Sequence, residues 1–217
     1  MNRAEIILQD RKEAGRKLAE VLSNYMVEKP IILGMPRGGV VVAYEISKAL
    51  KAPLDVIVTR KIGAPSQPEY AIGAIAPGDI RVFNVEAISS LGLDNTEIKA
   101  IVEYEEKEME RRIKLYRSNK PSLNLKDKVV IIVDDGVATG QTAMVAIRSV
   151  RKMQPRKIVF ACGVCARDAA AMLEQEADKV ICLSLPAVFY AVGQWYLDFA
   201  QTTDAEVLQL LKSAESI

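Results

Sequence analysis

Residues 129–142 read Val129-Val-Ile-Ile-Val-Asp-Asp-Gly-Val-Ala-Thr-Gly-Gln-Thr142, and this stretch decides the fold. The β-branched run at its start is typical of a strand buried on both faces, as in the interior of a parallel sheet. Two carboxylates, Asp134 and Asp135 (the acid pair), end the predicted strand, and a helix is predicted from Ala143 to Val150. Ligands of open α/β sheets bind beyond the carboxyl ends of the strands, so we expect the functional site here.

The loop between the acid pair and the helix is suited to hold a phosphate group. Gly136 and Gly140 allow the backbone to approach an anion closely, and Thr139 and Thr142 can donate hydroxyl hydrogen bonds. The start of a helix adds free backbone amides and a partial positive charge. Carboxylates repel a phosphate unless they face another group. The acid pair is therefore expected to accept from sugar hydroxyls or to help hold a divalent cation, and a phosphorylated sugar satisfies both halves of the site.

Other phosphate-binding classes fit this stretch less well. A P-loop ATPase needs a lysine after its glycines, and none follows here. A dinucleotide fold has a Gly-x-Gly-x-x-Gly pattern with its acid further on, and that pattern is absent. A phosphoaspartyl enzyme would need a differently spaced carboxylate cluster. A strand, turn and helix without any ligand would leave the two adjacent aspartates unexplained.

Composition excludes several functions. The 217 residues carry 29 basic and 28 acidic side chains, which gives no general electrostatic reason to bind nucleic acid or a membrane. No apolar run reaches the roughly 20 residues that cross a bilayer. Three cysteines suit a reducing cytosol, so a cytoplasmic location is expected. Histidine is absent, which excludes a Ser-His-Asp triad and a histidine-based zinc site.

Two earlier loops carry cations beside glycine. Met35-Pro-Arg-Gly-Gly39 follows a predicted strand at 31–34 and precedes a helix at about 40–50, so Arg37, Gly38 and Gly39 form a second possible anion site. The alternative is a turn in which the glycines only supply positive φ. Arg60 and Lys61 follow a predicted strand at 55–59 and begin a loop that is suited to be a mobile lid; the alternative is a solvated basic pair.

The remaining pattern predicts one α/β domain over residues 1–217, with its core at about 30–185. Repeated strand and helix segments from residue 31 onward imply a parallel sheet with helices on both faces. Residues 71–75 and 80–83 suggest a small antiparallel hairpin that carries the lid. Helices are predicted at 10–27, at 95–117, at about 168–176 and from Thr203 through Leu211. The charged helix at 95–117 is either a solvated face or a contact for a partner, such as a second copy.

Two side-chain clusters leave alternatives open. Cys162 and Cys165 have the spacing of a redox pair or of half a zinc site, but no second Cys pair or histidine completes that site, so structural cysteines are favoured. The aromatic segment at 185–199 can stack on a planar ligand or pack a terminal helix onto the core. Glu69 and Tyr70 could contribute to the side of the site where such a planar ligand would bind.

The central stretch closely resembles the 5-phosphoribosyl 1-diphosphate (PRPP) motif of type I phosphoribosyltransferases: an apolar strand, two acids, then Thr-Gly-x-Thr. With the Met-Pro-Arg-Gly-Gly-Val and Arg-Lys-Ile-Gly-Ala-Pro segments, the chain looks most like predicted members of that family without a settled substrate. The resemblance implies a flavodoxin-like parallel-sheet core, a flexible hairpin lid, and a hood built from the N-terminal helix, the helix at 95–117 and the C-terminal helices.

The same resemblance implies a reaction and a set of site residues. A nitrogen acceptor, a nucleobase or related compound, displaces diphosphate from PRPP, with Mg²⁺ held mainly by PRPP near the acid pair rather than by direct protein ligands. The catalytic residues implied are Asp134, Asp135, Arg37, Arg60 and Lys61. The PRPP-binding residues implied are Asp134, Asp135, Gly136, Val137, Ala138, Thr139, Gly140, Gln141 and Thr142, and the diphosphate-binding residues are Arg37, Gly38, Gly39, Arg60 and Lys61.

The identity of the acceptor does not follow from the sequence. Two alternatives to an enzyme of nucleotide metabolism stay open on the same scaffold. One is a regulatory protein that senses PRPP or a nucleotide without turnover. The other is an RNA-binding regulator, against which the absence of a basic surplus argues.

Overall fold

A computed structural model describes residues 6–65, 67–118, 120 and 123–217. Five parallel strands form the main sheet in the order β2-β1-β6-β7-β8. They are β1 (Ile31–Gly34), β2 (Leu54–Val56), β6 (Val129–Val137), β7 (Lys157–Cys165) and β8 (Lys179–Ser184). The apolar run at 129–133 lies in the central strand and is fully buried, which confirms the predicted interior strand.

Alternate residues of β6 pack into two separate hydrophobic clusters, one on each face of the sheet. Ile131 and Val133 contact the face covered by α1 (Arg11–Val21) and α2 (Gly38–Leu50). Val130 and Ile132 contact the opposite face, covered by α5 (Gln141–Lys152) and α6 (Arg167–Leu173). A strand apolar at every position is stable here because both of its faces are covered. The parallel α/β fold predicted from sequence is therefore confirmed.

A second sheet contains three antiparallel strands in the order β3-β4-β5. They are β3 (Arg60–Ala64), β4 (Gln67–Ala76) and β5 (Ile80–Phe83). The predicted hairpin corresponds to β4 and β5. The prediction that Arg60 and Lys61 begin a loop was wrong, because both residues pair with β4 opposite Ile75 and Ala74. Ser66, which belongs to the predicted lid, lies outside the described residues.

Two helices follow the second sheet. Helix α3 (Val85–Leu91) was not predicted, although Asn84 caps it by accepting from the backbone amide of Ala87. The long helix α4 (Asn95–Arg117) has the predicted bounds, and Asp94 with Glu97 forms a complete capping box. It packs against β2, β3, β4 and α7 (Asp204–Ala214). The single-domain organisation stays a prediction, although one hydrophobic cluster does contain residues of both sheets.

Two segments that are distant in sequence meet over the carboxyl edge of the main sheet. Leu8 forms a parallel bridge with Tyr196, and its amide donates to the carbonyl of Trp195 at 2.9 Å. The amide of Leu197 donates back to the carbonyl of Leu8 at 2.9 Å. We call these two paired segments, residues 6–12 and 192–202, the cover. The predicted helix at 10–27 is shorter, because α1 is followed by a 3₁₀ helix at Ser23–Glu28.

The aromatic segment contributes to the cover by packing. Trp195, in a 3₁₀ helix at Val192–Trp195, and Tyr196 are both buried in the core. Of the two alternatives, the structure supports packing for these residues, while Tyr190 remains exposed. In the part of the chain that is described, none of the helices has the length and apolarity needed to span a bilayer.

Candidate functional site

The acid pair lies inside the central strand, near its carboxyl end, rather than just after the strand. β6 continues through Val137 because β7 keeps pairing with it, with Gly136 opposite Val164 and Val137 opposite Cys165. The predicted strand end at residue 134 was therefore too early. The Oδ1 atom of Asp134 accepts from the backbone amide of Asp135 at 2.8 Å, which fixes the first carboxyl against the strand.

The two carboxyl groups have different environments. Burial raises the pKa of Asp134 well above its ordinary value, and the negative charge of neighbouring Asp135 raises it further. The Asp135 carboxylate instead forms a 2.7 Å ion pair with Nε of Arg11, and both side chains are mostly shielded from solvent. The two carboxyl groups are therefore not equivalent: Asp134 holds a proton more tightly than a free carboxyl does, and Asp135 is paired with a cation.

Arg11 was not identified from sequence as a site residue. It lies 124 residues from Asp135 along the chain and reaches it from the first turn of α1. Its guanidinium also donates to the carbonyl of Ala200 at 2.8 Å and lies 3.8 Å from the centre of the Phe199 ring. Tyr196 donates its hydroxyl to the carbonyl oxygen of Asp135 at 2.5 Å. The cover is thus attached to the acid pair at two points.

The loop after the acid pair leads into α5, which begins at Gln141 instead of at the predicted Ala143. Ala138 and Thr139 are exposed, Gly136, Gln141 and Thr142 are partly exposed, and Val137 and Gly140 are buried. Gly140 has φ of +78° at the N-cap of the helix, a conformation that favours glycine. The amides of the first helical turn lack acceptors within the helix, so this end can bind an anion.

The loop at 35–39 lies directly against the acid pair. A Cβ atom at Gly38 would overlap the Asp135 carboxylate, and a Cβ atom at Gly39 would lie 2.7 Å from the carbonyl oxygen of Val133. Arg37 precedes α2 and has its NH1 atom 3.8 Å from the Asp204 carboxylate, with more than a quarter of its side chain exposed. The two anion sites predicted from sequence therefore flank the acid pair, with Asp134 and Asp135 between them.

Arg60 and Lys61 occupy the second sheet. Arg60 donates through Nε to the Glu105 carboxylate of α4 at 2.6 Å. Arg60 and Lys61 line a cavity of about 450 Å³ that Tyr104 also borders. Arg60 thus faces a carboxylate of α4 in the structure. Tyr70 is about half exposed, and the side chain of Glu69 lies outside the described residues.

A cavity of about 200 Å³ lies beneath the cover. Arg11 borders it and links it to the acid pair. Its other borders are polar side chains and backbone, with Val41 of α2 as an apolar contact. Besides Val41 they are Asp10, Lys12, Asp198, Ala200, Gln201, Thr202 and Glu206. Neither Asp134 nor Asp135 borders this cavity, and Arg11 is the side chain that lies between it and the acid pair.

The site does not offer a complete set of protein ligands for a divalent cation. Among the described residues, the one converging group of three acidic, histidine or cysteine side chains consists of cysteines and not of carboxylates. Burial raises the pKa of Asp134, which weakens it as a cation ligand, and Asp135 is paired with Arg11. These residues fit a Mg²⁺ ion that arrives with most of its oxygen ligands supplied by a bound phosphate.

Comparisons with known proteins identify the family of the chain. The model of the phosphoribosyl transferase domain family matches residues 4–200. Two curated proteins from Mycobacterium tuberculosis, from strains CDC 1551 and H37Rv, are each 41% identical over 208 residues and are named provisionally as phosphoribosyl transferases. The matched region covers 96% of this chain and 47% of theirs, so the chain spans about half the length of these relatives.

Solved structures show the same architecture. Protein TT1426 from Thermus thermophilus is 38% identical, with a TM-score of 0.79, and the match covers 96% of this chain and 99% of that one. A Neisseria gonorrhoeae protein has a TM-score of 0.51 at 14% identity over 98% of both chains, and this likeness concerns the fold alone.

Proposed function

Since this chain belongs to the phosphoribosyl transferase domain family, we propose that it transfers the 5-phosphoribosyl group of PRPP to a nitrogen acceptor and releases diphosphate. The acceptor is a nucleobase or a related compound with a nucleophilic nitrogen. We propose this activity for residues 1–217. Where they form part of a longer protein, the activity is that of this part.

One observation carries the proposal: the acid pair lies between two segments whose residues suit anion binding. The loop at 136–142 opens α5 with exposed backbone and hydroxyl donors, which suit the 5-phosphate of PRPP. The loop at 35–39 places Gly38 against Asp135 and adds the cation of Arg37, which suits the 1-diphosphate. The ribose that joins the two phosphate groups would then lie on Asp134 and Asp135.

The proposed reaction is a substitution at C1 of the ribose. The bond from C1 to the diphosphate oxygen breaks, its electron pair leaves with diphosphate, and the acceptor nitrogen forms the new bond and loses a proton. Positive charge develops on the ribose ring in an oxocarbenium-like transition state. The Asp135 carboxylate would stabilise that charge electrostatically, while Asp134 would hold a ribose hydroxyl.

Mg²⁺ would neutralise charge on the leaving diphosphate when it is bound with PRPP. The chain's own contribution is cationic: Arg37 beside the acid pair and, after movement of the second sheet, Arg60 and Lys61. For Arg60 that movement would replace the 2.6 Å contact with Glu105 by a contact with diphosphate. Closure of this sheet over the site would also exclude water and suppress hydrolysis of PRPP.

The cavity beneath the cover is the best candidate for the acceptor. Its volume of about 200 Å³ and its border of carboxylate, amide and backbone groups suit a small, polar, nitrogen-containing molecule. Arg11 connects this cavity to Asp135, so an acceptor bound there would lie on the ribose side of the site.

The sensing alternative has one observation in its favour. Arg11 donates to an oxygen of Asp135 at 2.7 Å, so part of the proposed ribose site is paired within the chain itself. A protein that reports PRPP could use the opening of this ion pair as its response. We favour the enzyme because the site also has space for an acceptor.

The test of the proposal is a binding and turnover experiment. PRPP with Mg²⁺ is expected to raise the melting temperature and to release heat on binding, since a ligand that binds only the folded state stabilises it. A set of nitrogen acceptors is then screened with PRPP for diphosphate release. An unchanged melting temperature and the absence of binding heat at millimolar PRPP would contradict the proposal. Tight PRPP binding without release for any acceptor would favour the sensor.

Substitutions in the two loops should separate their ligands. Replacing Thr139 and Thr142 together by valine is expected to weaken ribose 5-phosphate and PRPP alike, because both ligands carry the 5-phosphate. Each lost hydroxyl hydrogen bond to a charged group should cost about 1.5–3 kcal/mol. Arg37→Ala is expected to weaken PRPP and diphosphate but to leave ribose 5-phosphate nearly unchanged. Isothermal titration calorimetry with the three ligands measures both effects.

A matched control separates the local role of Arg37 from its charge. Arg111 is a more exposed arginine of α4 that pairs with Glu108 at 2.7 Å, so Arg111→Ala changes the net charge by the same amount. It should leave all three affinities unchanged. Equal losses for ribose 5-phosphate and diphosphate in both loop variants would show that the loops have been assigned to the wrong phosphate groups.

A further inference from the structure

Three cysteines that are distant in sequence form one buried cluster. Cys162 and Cys165 lie on β7, and Cys182 lies on the neighbouring strand β8 directly opposite Cys162. Their three Sγ atoms lie within 4.8 Å of one another, and those of Cys162 and Cys182 are 3.5 Å apart. Cys182 thus adds a third sulfur to the pair formed by Cys162 and Cys165, although it is distant from both in sequence.

The spacing of the sulfur atoms matches a metal ion with three thiolate ligands. A metal–sulfur bond is about 2.3 Å long, so three sulfurs around one ion in a plane stand ~4 Å apart. In this cluster the Cys162 and Cys182 sulfurs are closer than that value, and none of the three separations exceeds 4.8 Å. Small rotations of three side chains would therefore bring the sulfurs to bonding distance without moving either strand.

The surroundings favour a soft ion with low coordination number. The cysteines belong to the apolar cluster that includes Val137, Phe160 and Leu173. In the described part of the chain, no histidine or carboxylate joins the three sulfurs as a fourth ligand. Structural Zn²⁺ sites are almost always closed by four protein ligands, whereas Cu(I) is selected by soft thiolates. Because three sulfurs converge without a fourth ligand among the described residues, the cluster suits Cu(I) better than Zn²⁺.

The geometry points to a binding site for a thiophilic monovalent metal ion, Cu(I), formed by Cys162, Cys165 and Cys182. The ion replaces thiol protons, which are released to the solvent, so affinity falls as pH is lowered. Cys165 is the last residue of β7 and is followed by the partly exposed Ala166, so the path from the surface to the cluster is short. The inference does not depend on the proposed transferase activity.

The test uses the full, reduced chain under anaerobic conditions. Cu(I) is supplied from its complex with a chromogenic chelator, and transfer to the protein is followed by the loss of chelator absorbance. One equivalent is expected to bind. Replacing any one cysteine with alanine should lower the affinity more than about 100-fold, because removal of even a supporting partner of a metal ligand costs about 10–100-fold. Met26→Leu removes a surface-exposed sulfur and is the matched control that should bind like the parent.

A second measurement does not depend on the folding of the variants. X-ray absorption of the copper-loaded parent protein should show three sulfur neighbours at one distance near 2.3 Å. Fewer than three sulfurs, a stoichiometry well below one, or an affinity equal to that of Met26→Leu in every cysteine variant would overturn the inference. In that case the cluster would be three neutral thiols that fill the core.

Discussion

Replacing Asp134 and Asp135 together by asparagine is expected to lower turnover by about 10²–10³-fold while PRPP affinity changes modestly. Asparagine keeps the size of aspartate and one acceptor oxygen, so it can still bond to ribose hydroxyls. It loses the negative charge, which matters most when the ribose ring becomes cationic. Single-turnover rates with bound PRPP and an accepted nucleophile, beside calorimetric affinities, separate the two effects.

The single variants sharpen this test, because the two carboxyl groups differ in environment. Asp135→Asn should account for most of the lost rate, since Asp135 carries the charge that pairs with Arg11. A collapse of PRPP affinity with an unchanged rate for bound substrate would show that the pair only binds. Arg111→Ala again serves as the control for a change in charge outside the acid pair and its two loops.

The same substitution at Asp134 should increase stability. The pKa of Asp134 is raised by burial and by Asp135, so the folded protein binds this proton more tightly than the unfolded chain does. The resulting stability is fully present below the ordinary pKa of about 3.9 and is lost as pH rises through the raised value. Asp134→Asn has no such loss. Chemical unfolding should find it more stable than the parent at pH 7, with the difference vanishing below about pH 4.

Gly38→Ala is expected to lower turnover by about 10²-fold with little loss of stability. Gly39→Ala is expected to lower stability more than turnover. A Cβ atom at Gly38 would overlap the carboxylate of Asp135 and lie 2.6 Å from Nε of Arg11. Both are ends of side chains that can move, so the fold survives. A shift of about 1 Å in a catalytic group is enough to cost roughly 10²-fold in rate.

At Gly39 the neighbours are backbone atoms. The added Cβ would lie 2.7 Å from the Val133 carbonyl oxygen and 2.9 Å from Cα of Asp134, in the middle of the main sheet. Overpacking of this kind costs about 1–3 kcal/mol, so scanning calorimetry should find a melting temperature lower by several degrees. The adjacent glycines thus serve as controls for each other. If Gly38→Ala destabilises the protein as strongly and leaves turnover intact, the loop is structural.

Much of the fold could be predicted because its signals are local. The buried run at 129–133 defines the central strand, and the Asp94 capping box fixes the start of α4. The strand at Arg60 was missed because pairing with β4 is a tertiary effect that overrides a polar, glycine-containing sequence. The helix α3 was missed although its Asn84 cap was visible in the sequence.

The site was predictable only in part. The acid pair and its two loops follow from residue order, whereas the Arg11–Asp135 ion pair joins residues 124 positions apart and leaves no local signal. The cysteine cluster had a signal that the sequence analysis did not use. Cys162 and Cys182 lie in successive predicted strands of a parallel sheet, where neighbouring strands can place them opposite each other.

The cover joins residues near opposite ends of the described chain, at Leu8 and Tyr196, and this has a consequence for motion. The two segments regain conformational entropy when they separate, while the backbone hydrogen bonds that join them are few. We therefore expect the cover to open as a local unit while the five-stranded sheet stays folded, which gives substrates a route to the acid pair. Hydrogen exchange at the Leu8 and Leu197 amides, compared with those of β6, would measure how often this entrance opens.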